Sequence, residues 1–153
     1  DPLAETGGGC TRKKPIGEGE GYQIDNISDA EKVFQFAADN VFIEFSLVET
    51  KNSGSIFLTN HTYNMVNTSI ARELDSEGKT ITTMTHNHPR NSGPSNQSTV
   101  YGDRGDIPYA KAFPLSQGQK ITYQIYQPDK KNIVVYDGTG KLYDMSSVAY
   151  YGK

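Results

Sequence analysis

The sequence predicts one α+β domain, of the broad α/β class, built on a mixed β-sheet with a helix before it, a helix after a long polar loop and a hairpin at the C-terminal end. Three observations carry that expectation. A helical period over Asp29–Asn40 gives way at once to a nearly continuous β-forming run, Val41–Val48. Lys120–Gln127 alternates at period two, as a half-buried strand does. The turn Asp137-Gly138-Thr139-Gly140 then separates two short β-forming runs, Asn132–Tyr136 and Lys141–Tyr143.

The elements follow in order. Residues 1 to about 22 lack periodicity, are rich in Gly and carry Lys13-Lys14-Pro15, so they read as a linker or tail, with order beginning near Tyr22. In the first helix Ala30, Val33, Phe34, Ala37 and Ala38 fall at helical spacing, and Ser28 or Asp29 supplies the N-cap. The run Val41–Val48 reads as a strand buried on both faces, interrupted by Glu44. A carboxylate there needs a partner or a raised pKa, because burying an unpaired charge costs several kcal/mol. Lys51-Asn52-Ser53-Gly54 is a turn, and Ser55–Thr59 is its hairpin partner. Tyr63–Asn67 adds a further strand and Ser69–Leu74 a short helix or turn. Lys79–Thr85 is β-rich and delivers the residues that follow it to a strand end. Pro89–Gly105 is dominated by Asn, Ser, Gly and Pro, and loops of that length inside a domain are usually functional. Asp106–Phe113 closes it with a helix, Asp106 at the N-cap and Pro108 in the first turn.

Composition narrows the function classes. At 153 residues the chain is long enough for one real core. A formal charge of -3 gives no support to a nucleic-acid partner, which normally demands a basic patch. No apolar run approaches the roughly 18 residues of a membrane span. The single cysteine, Cys10, excludes an intramolecular disulfide and lies in the Gly-rich arm, far in sequence from the histidines.

The most informative stretch is Met84-Thr85-His86-Asn87-His88-Pro89, which holds two of the three histidines and has carboxylates downstream at Asp103 and Asp106. On an extended backbone side chains at i and i+2 point the same way, so His86 and His88 can offer both imidazoles to one ion. Two His and one carboxylate, with a position left for water, is a standard ligand set of hydrolytic zinc sites. His61 reads as a surface or structural histidine.

The order Glu44, hairpin, Thr85-His86-Asn87-His88-Pro89 and a helix-opening Asp resembles the JAB/JAMM (MPN-type) zinc metallopeptidase family. Its pattern is an upstream Glu on a strand, H-x-H-P, and S-x-x-D. The resemblance covers roughly residues 30 to 115 and implies a mixed α/β fold of the JAB/MPN (cytidine-deaminase-like) type, occupying residues 23–153. It also implies a hydrolase that cleaves peptide or isopeptide bonds with a zinc-bound water. On this chain it puts His86, His88 and Asp106 on Zn²⁺, with Asp103 the rival third ligand, and Glu44 as general base. The family's Ser is replaced at its usual position by Asp103, so the oxyanion donor is left to Ser95 or Ser98.

Asp1-Pro2-Leu3 resembles the D-P-x-G-L signature at which Rhs-repeat polymorphic toxins release their C-terminal effector domains, with Ala4 in place of the Gly and Glu5 in place of the Leu. That resemblance implies a secreted bacterial toxin domain acting in a recipient cell's cytoplasm on a protein or peptide substrate, and a cognate immunity protein. Two other classes stand beside it. One is an HNH-like metal-dependent nuclease toxin, which the acidic charge disfavours. The other is a metal-free binding module, with His86 and His88 as exposed strand-end residues.

Overall fold

In the computed structural model residues 10–13, 20–59, 69–95, 105–112 and 120–144 are described. Their order is β1 (Cys10–Lys13), β2 (Glu20–Ile24), α1 (Ile27–Asn40), β3 (Phe45–Thr50), β4 (Ser55–Thr59), α2 (Ser69–Ser76), β5 (Ile81–Asn87), α3 (Asp106–Ala112), β6 (Thr122–Gln127), β7 (Asn132–Tyr136) and β8 (Leu142–Asp144). The eight strands form one mixed sheet, ordered β1-β2-β4-β3-β5-β6-β7-β8. The β5–β6 pair is parallel, and the neighbouring β3–β5 and β6–β7 pairs are antiparallel. A parallel pair needs a crossover, and the chain between β5 and β6 carries α3.

Strand alternation divides the interior in two. On β3, Phe45 and Leu47 face α1, where they pack with Phe34, Ala38 and Tyr126. Val48 faces the other way, into a core of Ile56, Ile70, Leu74, Ile81, Met84 and Ile125 that also receives Ile107 and Tyr109 of α3. All six residues of β3 are buried, as the run of β-formers predicts. Helices cover the sheet on both faces, so its central strands are apolar on both sides.

Several boundaries differ from the sequence reading. The segment read as a linker contains β1 and the start of β2, paired antiparallel from Cys10↔Ile24 to Lys13↔Gly21, so Cys10 lies in an edge strand. Helix α1 starts two residues before Asp29, and its cap is Asn26, whose Oδ1 accepts the Asp29 N–H at 2.9 Å. Residues 41–43 bend before β3, because Val41 ends α1 in an extended conformation with its N–H still bonded to the Ala37 carbonyl. Glu44 therefore precedes β3. Strand β5 runs on to Asn87 and takes His86 with it. The strand expected over Tyr63–Asn67, together with His61, lies outside the described residues. Among the described residues no helix is long and apolar enough to cross a membrane.

Two further features bear on rigidity. Glu49 faces α1 at 8% exposure, and burial, then the neighbouring Glu31 carboxyl, push its pKa up to about 8. Both causes favour its uncharged form in the core. The β7–β8 turn abuts α3 so closely that a Cβ on Gly138 would lie 2.6 Å from the Cα of Lys111. Only glycine allows that approach, and the contact seats α3 against the hairpin.

Candidate metal centre

Register puts the two histidines where an ion can use them. Ser46 of β3 pairs with His86, so Glu44, two residues earlier on an antiparallel neighbour, comes level with His88. His86 shares its face of β5 with Met84, away from α1. His88 follows the strand end, where its N–H donates to the Tyr126 carbonyl at 3.0 Å and extends the β5–β6 ladder by one bond.

The loop after His88 is clamped. Asn91 adopts a left-handed conformation (φ 60°), one that Asn tolerates better than most residues. Its N–H donates to the His88 carbonyl at 2.8 Å. The Asn91 side chain both donates to Asp129 Oδ2 (2.8 Å) and accepts the Asp129 N–H (2.9 Å). Gln127 Nε2 donates to the Asn91 and Ser92 carbonyls. The chain is thus turned so that the Ser92 carbonyl lies 3.0 Å from His88 Nδ1. Ser92 Oγ lies 3.0 Å from the same nitrogen. The carbonyl can only accept, so the tautomer with its hydrogen on Nδ1 satisfies it and leaves the Nε2 lone pair for the site.

Helix α3 brings the carboxylate. Its apolar side is anchored by Ile107 and by Tyr109, which packs edge-on against Tyr123 at 6.5 Å between ring centres. At its first turn Asp106 Oδ1 lies 3.0 Å from His86 Nε2, and Oδ2 lies 3.3 Å from His88 Nε2. The two Nε2 atoms are 3.0 Å apart. Ligands at about 2.0–2.1 Å around a tetrahedral ion are separated by about 3.3 Å, so these donors converge at the spacing such an ion requires. Among the described residues His86, His88 and Asp106 form a group suited to holding a metal ion. The donor set, two imidazoles and one carboxylate, fits zinc.

The charges support one another. Burial pushes His86 down, but the charge and hydrogen bond of Asp106 together with the charge of Glu44 raise its pKa. Burial likewise works against ionised Asp106, yet His86, and then His88, hold it far below the usual carboxylate range. Glu44, 8% exposed, has its pKa raised by burial and by Asp106, against the pull of the two imidazoles. It is a buried carboxyl beside the convergent donors, not a solvent-facing one. Its backbone carbonyl accepts from Thr59 Oγ1 at 3.2 Å.

Ser95 meets Asp106 from eleven residues away. Its N–H and its hydroxyl both donate to Asp106 Oδ2 (2.8 and 3.1 Å), and its Oγ lies 3.0 Å from the Asp106 N–H. Ser98 and Asp103 lie outside the described residues.

Sequence reasoning missed Asn87. It sits between the two histidines on β5, and alternation turns its fully buried side chain to the opposite face. There its Oδ1 accepts the Phe45 N–H at 2.6 Å and its Nδ2 donates to the Ile43 carbonyl at 2.9 Å. One side chain thereby holds the backbone on both sides of Glu44. Its apolar surroundings, Phe45 and Tyr126, come from the neighbouring strands, while its own-strand neighbours Thr83 and Thr85 are polar, so the sequence alone carried no signal for it.

A protein-family model described as JAB-like toxin 1 matches residues 22–111. No curated protein and no solved structure gives a match. The match spans more than half of the chain and contains Glu44, both histidines, Ser95 and Asp106; the chain belongs to the JAB-like toxin 1 family.

Proposed function

We propose that this domain is a zinc-dependent hydrolase that cleaves a peptide or isopeptide bond, and that it is the effector domain of a secreted bacterial toxin. The observation that carries the reading is the convergence of His86 Nε2, His88 Nε2 and the Asp106 carboxylate beside the buried carboxyl of Glu44. Zinc held by such a set supplies Lewis-acid chemistry, lowering the pKa of water to about 7 and polarising a carbonyl. Glu44 takes the proton of the attacking water and hands it to the leaving amine, so one carboxyl serves both halves of the reaction. The Ser92 carbonyl beside Nδ1 favours the tautomer in which His88 presents its Nε2 lone pair. Membership of the toxin family supports a secreted effector; on this reading the domain acts in a recipient cell's cytoplasm and has a cognate immunity protein.

The test is hydrolysis of a peptide library and of isopeptide-linked protein conjugates by the zinc-loaded domain. Cleavage that a chelator abolishes and added zinc restores is the expected result. Plasmid nicking with divalent metal, and no amide cleavage, would assign the domain to the nuclease class instead.

A further inference from the structure

The hydroxyl of Ser95 has two candidate uses at this site, and its contacts favour one of them. An oxyanion donor must aim its hydrogen at the substrate. Ser95 aims it at Asp106 Oδ2, and adds its backbone N–H to the same oxygen, at 3.1 and 2.8 Å. The return contact, from the Asp106 N–H to Ser95 Oγ at 3.0 Å, makes Ser95 the cap of α3 although eleven residues separate the two. The Ile107 N–H adds a third tie, to the Ser95 carbonyl at 3.0 Å.

We propose that Ser95 is the positioning residue of the carboxylate ligand: its two donors hold Asp106 Oδ2 and leave Oδ1, beside His86, as the atom offered to the metal. The inference rests on the zinc-site reading above and deepens it. A carboxylate with four lone-pair sites can turn, and both oxygens of Asp106 are within 3.3 Å of an imidazole. Two donors on one oxygen remove that freedom before the ion arrives. Outer partners of this kind typically contribute about 10- to 100-fold in metal affinity. Ser95 is itself exposed, so water competes for its hydroxyl, and the expected effect sits at the lower end.

The experiment compares the full chain with Ser95→Ala and Ser95→Thr, reading zinc affinity by competition with a chromophoric chelator and the visible spectrum of the cobalt-substituted site. Ser95→Ala should bind zinc about tenfold more weakly and shift the cobalt bands, while Ser95→Thr, which keeps the hydroxyl, restores both. The Ile107 N–H to Ser95 carbonyl bond and the Ser95 N–H to Asp106 Oδ2 bond use backbone atoms of Ser95 and survive in either variant, so Ser95→Ala removes the hydroxyl's contacts alone. Thermal unfolding of the metal-free proteins shows whether each is folded. Wild-type affinity and an unchanged cobalt spectrum in Ser95→Ala, with a slower hydrolytic rate, would overturn the proposal and make Ser95 the oxyanion donor. Unchanged affinity, spectrum and rate would overturn it as well. Failure of the wild-type chain to bind zinc would instead remove the metal-centre reading on which it stands.

Discussion

Glu44→Gln is expected to keep its zinc and to hydrolyse substrate about 100- to 10,000-fold more slowly, the usual contribution of a positioned acid–base group. The substitution is nearly isosteric, and the amide still fits a site that is 8% exposed. It cannot accept a proton. Glu44 is not one of the three convergent donors, so the metal has no reason to leave. Its raised pKa has the sense that a general base requires, since burial makes the carboxylate a stronger proton acceptor than an exposed one. Zinc content and kcat measured on one preparation decide the matter. A variant that hydrolyses at the wild-type rate would remove Glu44 from the chemistry, and one that loses zinc would make it a ligand.

Asn87→Ala is the second large effect, and it acts through the backbone. The alanine leaves the Phe45 N–H and the Ile43 carbonyl without the partners that Asn87 supplies. Each buried backbone group left unsatisfied costs about 1–3 kcal/mol, so the variant should lose about 2–6 kcal/mol to chemical denaturation. The same two bonds fix residues 43–45, so Glu44 should lose its aim and the hydrolytic rate should fall by about tenfold or more, as displacement of a catalytic group does. The histidines point to the other face of β5, and zinc content should hold. A stability change within about 0.5 kcal/mol, the range of ordinary surface substitutions, would show that the clamp is unimportant.

The parts of the fold and site that were legible in the sequence are those written in local pattern. The apolar spacing of Ala30, Phe34 and Ala38 placed α1, and the β-forming run before Thr50 placed β3. The H-x-H spacing put both imidazoles at one strand end because alternation is a local rule. What escaped depends on contacts that sequence spacing does not encode. Asn26 outranked Ser28 and Asp29 as cap because the geometry of the turn, and not residue type alone, decides which oxygen reaches an orphan N–H. Asn87 is the unspecified residue of the H-x-H spacing, and its partners at 43 and 45 become neighbours only once β3 and β5 pair. Strand β1 carries no apolar alternation, and its pairing with β2 is what makes it a strand. The link from Ser95 to Asp106 crosses a long polar loop, and sequence spacing carries no signal for it.

Elemental analysis of the purified domain beside His88→Ala tests most directly whether His86, His88 and Asp106 hold one zinc ion. About one zinc per chain, from one tetrahedral donor set, is expected in the wild type, and its loss in the variant. A wild-type chain that takes up no zinc when zinc is supplied, or a His88→Ala chain that binds it as well as wild type, would contradict that assignment.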